Sequence, residues 1–327
     1  MKHGKFVISL DFELFWGVRD VTTIKDYGEN IKNVHQVVPK LLECFDNYDV
    51  KTTFSIVGFL FFDNKDTLLN HLPDVLPNYT NSKFSPYPTM ENELNFETYD
   101  DLYFFAPRLI ELIKQYPKQE IGSHTFSHYY CLEEGQTIES FKSDLIAAIE
   151  IAKKNNMVIT SLVFPRNQIN DDYIKICKEL NFTCYRGNEH SWLYKAKKGT
   201  QDKFYHRILR LIDSYINLSG HNCYSDEYLK SKFPVDIPAS RFLRPYNNSL
   251  KIFEKFRMHR ILSGMTYAAK EKLTYHLWWH PHNFGTNQDE NFKNLEMILK
   301  HYKYLQKSYD FTSISMSELA KNIHNGA

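Results

Sequence analysis

Apolar and polar positions divide the chain into short β-branched or aromatic runs separated by stretches with a helical period. Runs at 5–11, 51–57, 120–123, 161–164, 183–185, 274–279 and 311–314 predict strands. Ile31, Val34, Val38, Leu41, Leu42 and Phe45 recur on one helical face, as do Ile138, Phe141, Leu145, Ile149 and Ala152. Two more helices are expected near 102–113 and 292–305. Strand and helix in alternation predict an α/β protein built of βα units around a mostly parallel sheet. Residues from about 63 to 98 break the pattern, with Pro73, Pro77, Pro86 and Pro88 set among Asn and Ser. They predict an insertion after the second strand, either an active-site wall or a spacer. Neither an internal repeat nor a low-complexity linker is found, so residues 1–327 are expected to form a single domain carrying that insertion.

Composition narrows the function classes. A chain of 327 residues fits one α/β barrel and buries a large core without disulfide or metal staples. Forty Lys and Arg against 39 Asp and Glu argue against a nucleic-acid footprint spread over the molecule. Five cysteines, at 44, 131, 177, 184 and 223, are odd in number and lack zinc-ribbon spacing, which suits a reducing compartment. The longest apolar run, 54–62, falls short of the ~20 residues of a transmembrane span. The opening MKHGKFVISLDFE carries no readable export signal. A cytoplasmic location is expected.

Three polar clusters fall at predicted strand ends, where parallel α/β barrels place their chemistry. In Ser9-Leu10-Asp11-Phe12-Glu13, alternation puts Asp11 and Glu13 on one face and Phe12 on the other. Two adjacent carboxylates repel unless a cation or a proton lies between them. In Glu120-Ile121-Gly122-Ser123-His124-Thr125-Phe126-Ser127-His128, a helical turn after the strand would let His124 and His128 grip one divalent metal, with a carboxylate as third ligand. Leu277-Trp278-Trp279-His280-Pro281-His282-Asn283 ends a late strand with two histidines, either of which is placed to give a proton to a leaving group.

The order acidic strand end, HTFSH, then LWWH resembles the metal-dependent polysaccharide deacetylases, the carbohydrate esterases related to chitin and peptidoglycan deacetylases. EIGSHTFSH is the most specific part, and the resemblance runs from about residue 5 to 320. It implies a distorted (β/α) barrel, seven-stranded, with insertions. It also implies a divalent metal, zinc with cobalt or nickel as alternatives, held by His124, His128 and Glu13. Asp11 would be the general base and His280 the general acid. The commonest form of the first motif ends in two adjacent aspartates, and Phe12 stands here at the second. An arginine that orients the base is implied as well. Arg166, in Leu162-Val163-Phe164-Pro165-Arg166-Asn167-Gln168, is the local match, and Arg244 is the substitute. Cys184-Tyr185-Arg186-Gly187-Asn188 is expected to line the same mouth.

The expected substrate is an acetylated sugar or glycan. A cytoplasmic setting favours a nucleotide- or lipid-linked intermediate of cell-surface glycan biosynthesis, finished cell-wall polymer outside the cell being harder to reach. The basic stretch 195–210 suits a solvated helix and loop, or contact with a pyrophosphate-linked lipid at the inner membrane face. A non-sugar amidase or deformylase, and a catalytically silent carbohydrate-binding relative, are the alternatives. The retained Asp11, paired histidines and His280 weigh against the silent one.

Overall fold

The computed structural model describes residues 3–88, 90, 99–194 and 204–325. Among the described residues nine strands form one sheet: β1 (Lys5–Phe12), β2 (Thr52–Ile56), β3 (Gln119–Ser123), β4 (Ser161–Val163), β5 (Cys184–Arg186), β6 (Val235–Asp236), β7 (Arg241–Phe242), β8 (Thr274–Trp279) and β9 (Thr312–Ser313). The spatial order is β6-β5-β4-β3-β2-β1-β8-β7, with β9 added beside β1, and every named pair is parallel. The sheet curls into a half-barrel surrounded by helices, a distorted (β/α) barrel. All seven predicted strands belong to it. The two extra strands, β6 and β7, are two residues each.

Burial explains why β1 reads as an almost unbroken apolar run: it lies between β2 and β8 with seven of its eight residues buried. Its even positions Phe6, Ile8 and Leu10 enter the main core under the outer helices. Its odd positions point into the curl. There Val7 joins Val163, Cys184, Val235, Ile237 and the residues Met316, Leu319 and Ile323 of the C-terminal helix Met316–Asn325 in a smaller apolar cluster. Ser9 and Asp11 continue that inward row, so the interior changes from apolar to polar toward the carboxyl ends of the strands.

Helices occur at Val34–Asn47, Ile138–Lys154, Pro107–Lys114 and Gln288–Tyr309, near the predicted ones. Ile31 belongs instead to a preceding helix, Ile24–Lys32, separated from the next by Asn33. The helices Asp171–Glu179 and Glu254–Glu271 have no counterpart among the expected ones, while Phe204–Asp213 overlaps the helix and loop expected of the basic stretch. Part of the insertion (89 and 91–98) and most of the basic stretch (195–203) lie outside the described residues.

Candidate active site

The site opens at the carboxyl end of β1. Asp11 and Glu13 are each 3 % exposed, and Phe12 between them is fully buried in the core. Glu13 begins a short 3-10 turn, Leu14–Gly17, that folds back beneath its own carboxylate. A Cβ on Gly17 would stand 1.9 Å from Glu13 Cδ, so only glycine leaves room for the acid.

Four imidazoles surround Glu13. Its Oε2 lies 3.2 Å from His124 Nε2 and 3.1 Å from His128 Nε2, and its Oε1 lies 3.1 Å from His282 Nε2 and 3.6 Å from His280 Nε2. Burial would raise the Glu13 carboxyl. His280, followed by contacts from His124, His128 and His282, outweighs that and holds it well below the usual range. His128 is drawn down to about 4 by burial, which Glu13 only partly opposes, so it is neutral at pH 7.

The two histidines of HTFSH do not meet through a helical turn, contrary to expectation. Thr125 and His128 adopt positive φ, 64° and 59°, and the segment is an irregular bend. Asp144, from the helix Ile138–Lys154, holds the bend in place. Its carboxylate accepts from the amides of Phe126 (2.7 Å) and Ser127 (3.2 Å) and from the Ser127 hydroxyl. Burial raises the Asp144 carboxyl to about 7 against those bonds. The clue in the sequence is an acid on the apolar face between Phe141 and Leu145.

A metal fits this donor set. His124 Nδ1 meets the Val163 carbonyl at 2.9 Å and must donate to it. In a neutral ring, Nε2 then aims a lone pair at the Glu13 carboxylate, which is repulsive unless a cation or an extra proton lies between. Ligand atoms of Glu13, His124 and His128 all lie within 4.8 Å of one another, as do those of Glu13, His280 and His282. Carboxylate with imidazole is the ligand chemistry of zinc and its neighbours.

Arg186 at the end of β5, not Arg166, grips Asp11. Its Nη1 and Nη2 donate to Oδ1 and Oδ2 at 2.6 and 2.7 Å, a two-pronged ion pair buried on both sides. Ser9 Oγ (3.1 Å) and Asn167 Oδ1 (3.0 Å) accept further bonds from it, and the Trp278 ring centroid lies 4.0 Å from its Cζ. His276 in turn donates from Nδ1 to the Ile237 carbonyl and accepts the Ser9 hydroxyl at Nε2, 2.9 Å away. Burial alone would raise the Asp11 carboxyl. Arg186, then His124 and His280, bring the net below its ordinary value.

Arg166 pairs with Asp20 at 2.5 Å instead. It sits after the strand turn at φ 55°, which carries its side chain away from Asp11. Arg244 stacks on Phe242, 6.0 Å from the ring centroid, and forms no bond to Asp11 either. His280 reaches both acids, with Nε2 3.7 Å from Asp11 Oδ2, and its Nδ1 lies 3.2 Å from Asn283 Oδ1. It is 22 % exposed, against 4 % for His282, whose Nδ1 meets the Tyr27 hydroxyl at 3.0 Å. Burial pulls His280 below its usual range, with Glu13 opposing.

The polysaccharide deacetylase family model matches residues 19–185, half of the chain. The chain belongs to the polysaccharide deacetylase family. The matched segment contains His124 and His128 but not the acid pair, Arg186 or His280, so their placement rests on geometry. No curated protein sequence matches this deacetylase-family chain. Among solved structures, a putative polysaccharide deacetylase from Mycobacterium smegmatis is similar at TM-score 0.61 and 11 % identity, covering 100 % of this chain and 92 % of that one. A probable polysaccharide deacetylase from Pseudomonas aeruginosa PAO1 has TM-score 0.57 at 11 % identity, covering 98 % and 91 %. A 4-alpha-glucanotransferase from Thermococcus litoralis reaches TM-score 0.53 at 10 % identity, covering 98 % of this chain and 40 % of that one. At such identities the likeness concerns the fold.

Proposed function

We propose that this chain is a metal-dependent hydrolase that removes an acetyl group from an amino sugar or short glycan. The observation that carries the reading is the pair of acids at the end of β1, one gripped by an arginine and the other ringed by imidazoles. His124, His128 and Glu13 would hold the ion, and all three are buried. When bound there, a divalent ion would supply a water of lowered pKa and polarisation of the acyl oxygen.

The side chains divide the remaining work. Asp11 takes the proton of the attacking water, and Arg186 keeps that carboxylate ionised and fixed in direction. His280, the more exposed of the two late histidines and within 3.7 Å of Asp11, gives a proton to the departing amine. His282, backed by Tyr27, occupies the other Glu13 oxygen and steadies the carboxylate. Each proton-transfer role supplies about 10²–10⁴-fold in rate.

The substrate we favour is a nucleotide- or lipid-linked intermediate of surface-glycan assembly, met in the cytoplasm or at the inner membrane face. Among the described residues no helix is long and apolar enough to cross a membrane. The test combines metal analysis with product analysis. Purified protein should hold one divalent ion per chain and release acetate from N-acetylated sugars. Chelation should abolish release, and zinc, cobalt or nickel should restore it. Full activity without metal contradicts the proposal, and release of formate in place of acetate redirects it to a deformylase.

A further inference from the structure

Beside the catalytic groups lies an open cleft of about 670 Å³ whose charges do not balance. Lys83, Arg166, Arg207, Arg210 and Arg244 line it, against Asp20, Glu133 and Glu189. Asp20 is taken by Arg166, and Glu133 accepts from the Gln168 amide at 2.7 Å. Glu189 is 6 % exposed, and burial raises its carboxyl to about 7 despite Arg241 and Arg186. It therefore carries only part of a negative charge near neutrality.

Arg244 and Arg207 form no ion pair among the described residues. Arg244 is half-buried on the Phe242 ring, and that ring lies 4.6 Å from Trp278 and 5.7 Å from His280. Burial, then the positive charges of Arg210 and Arg257, outweigh Tyr194 and Tyr215 and draw the Arg244 guanidinium below its usual range. Holding a cation partly out of water among other cations is costly unless an anion completes the site. The fork of a guanidinium suits phosphate oxygens in particular.

We propose that Arg244 and Arg207 bind a phosphate or diphosphate group carried next to the acetylated sugar. The proposal rests on the deacetylase reading and narrows its substrate to a phosphorylated carrier. Two sources share this chemistry, a nucleotide diphosphate sugar and a polyprenyl diphosphate glycan. The helix Phe204–Asp213 that carries Arg207 also exposes Tyr205, Ile208 and Ile212, apolar surface that a lipid carrier would use.

The test is calorimetric binding of inorganic pyrophosphate, UDP-N-acetylglucosamine and farnesyl diphosphate to the metal-loaded protein. R244Q should weaken all three by about tenfold or more, R244K by less, and R207Q, on the exposed side, by several-fold. Tighter binding of the uridine compound than of pyrophosphate assigns a nucleotide carrier, and tighter binding of the farnesyl compound assigns a lipid. Failure of all three to bind overturns the proposal. So does binding that both R244Q and R207Q leave unchanged, which would place the anion on the metal. Binding is read without turnover, so absent acetate release would count against the hydrolase reading alone.

Discussion

The residue that most separates this site from its sequence-based picture is Arg186. Arg166 follows a strand end with the expected local motif, yet its backbone at φ 55° turns it toward Asp20. Arg186 comes from the next strand, and both prongs land on Asp11. Lysine keeps a charge but loses the fork. Arg186→Lys should therefore lower kcat by about 10²-fold with KM little changed, since it disturbs the base rather than substrate binding. Arg166→Ala should leave kcat within about tenfold of the parent. Steady-state kinetics with circular dichroism on both variants checks this, and equal losses would return the orienting role to Arg166.

At the level of elements, His124 and His128, the proposed metal ligands, depend on a bend that has no helix or strand of its own. Asp144 reaches across from the helix Ile138–Lys154 to satisfy two amides and a hydroxyl there. Removing it leaves buried donors unpaired, at about 1–3 kcal/mol each. Asp144→Ala should lower the melting temperature and weaken metal affinity by about 10–100-fold, as loss of a ligand-supporting group does elsewhere. Thermal denaturation and metal titration measure both. Unchanged affinity would show that the bend holds its shape alone. The HxxxH spacing was legible, but the positive φ values at Thr125 and His128 were not, because neither residue type announces them.

For the whole molecule, a second buried network joins segments distant in sequence and reaches the cleft through Tyr194. Asp213 is fully buried and pairs with Arg241, and it accepts from Tyr194 Oη (2.8 Å), Ser219 Oγ (2.8 Å) and the amides of Leu218 and Ser219. Burial would raise this carboxyl, but Arg241 and the hydrogen bonds win and lower it to about 2. A folded-state pKa below the unfolded value of about 3.9 means stability that is present above pH 4 and lost as pH falls toward 2. The shift corresponds to about 2 kcal/mol. Asp213→Asn should lose stability at neutral pH and show a flatter decline in urea-unfolding free energy between pH 4 and 2. An unaltered acid profile would mean that other carboxylates govern acid unfolding.

The α/β class, seven of the nine strands, the acid pair and the paired histidines were all legible from the chain, because each is a local pattern of period or spacing. Alternation along one strand suffices to put Asp11 and Glu13 on a common face. What the chain order could not convey is which distant side chain reaches them. Arg186 and His282 reach the two acids, and Asp144 reaches the histidine bend, through the curl of the sheet and the turns beyond its strands. Those depend on long-range packing, and the positive φ of Arg166 after β4 leaves Arg186 of β5 to meet the acid.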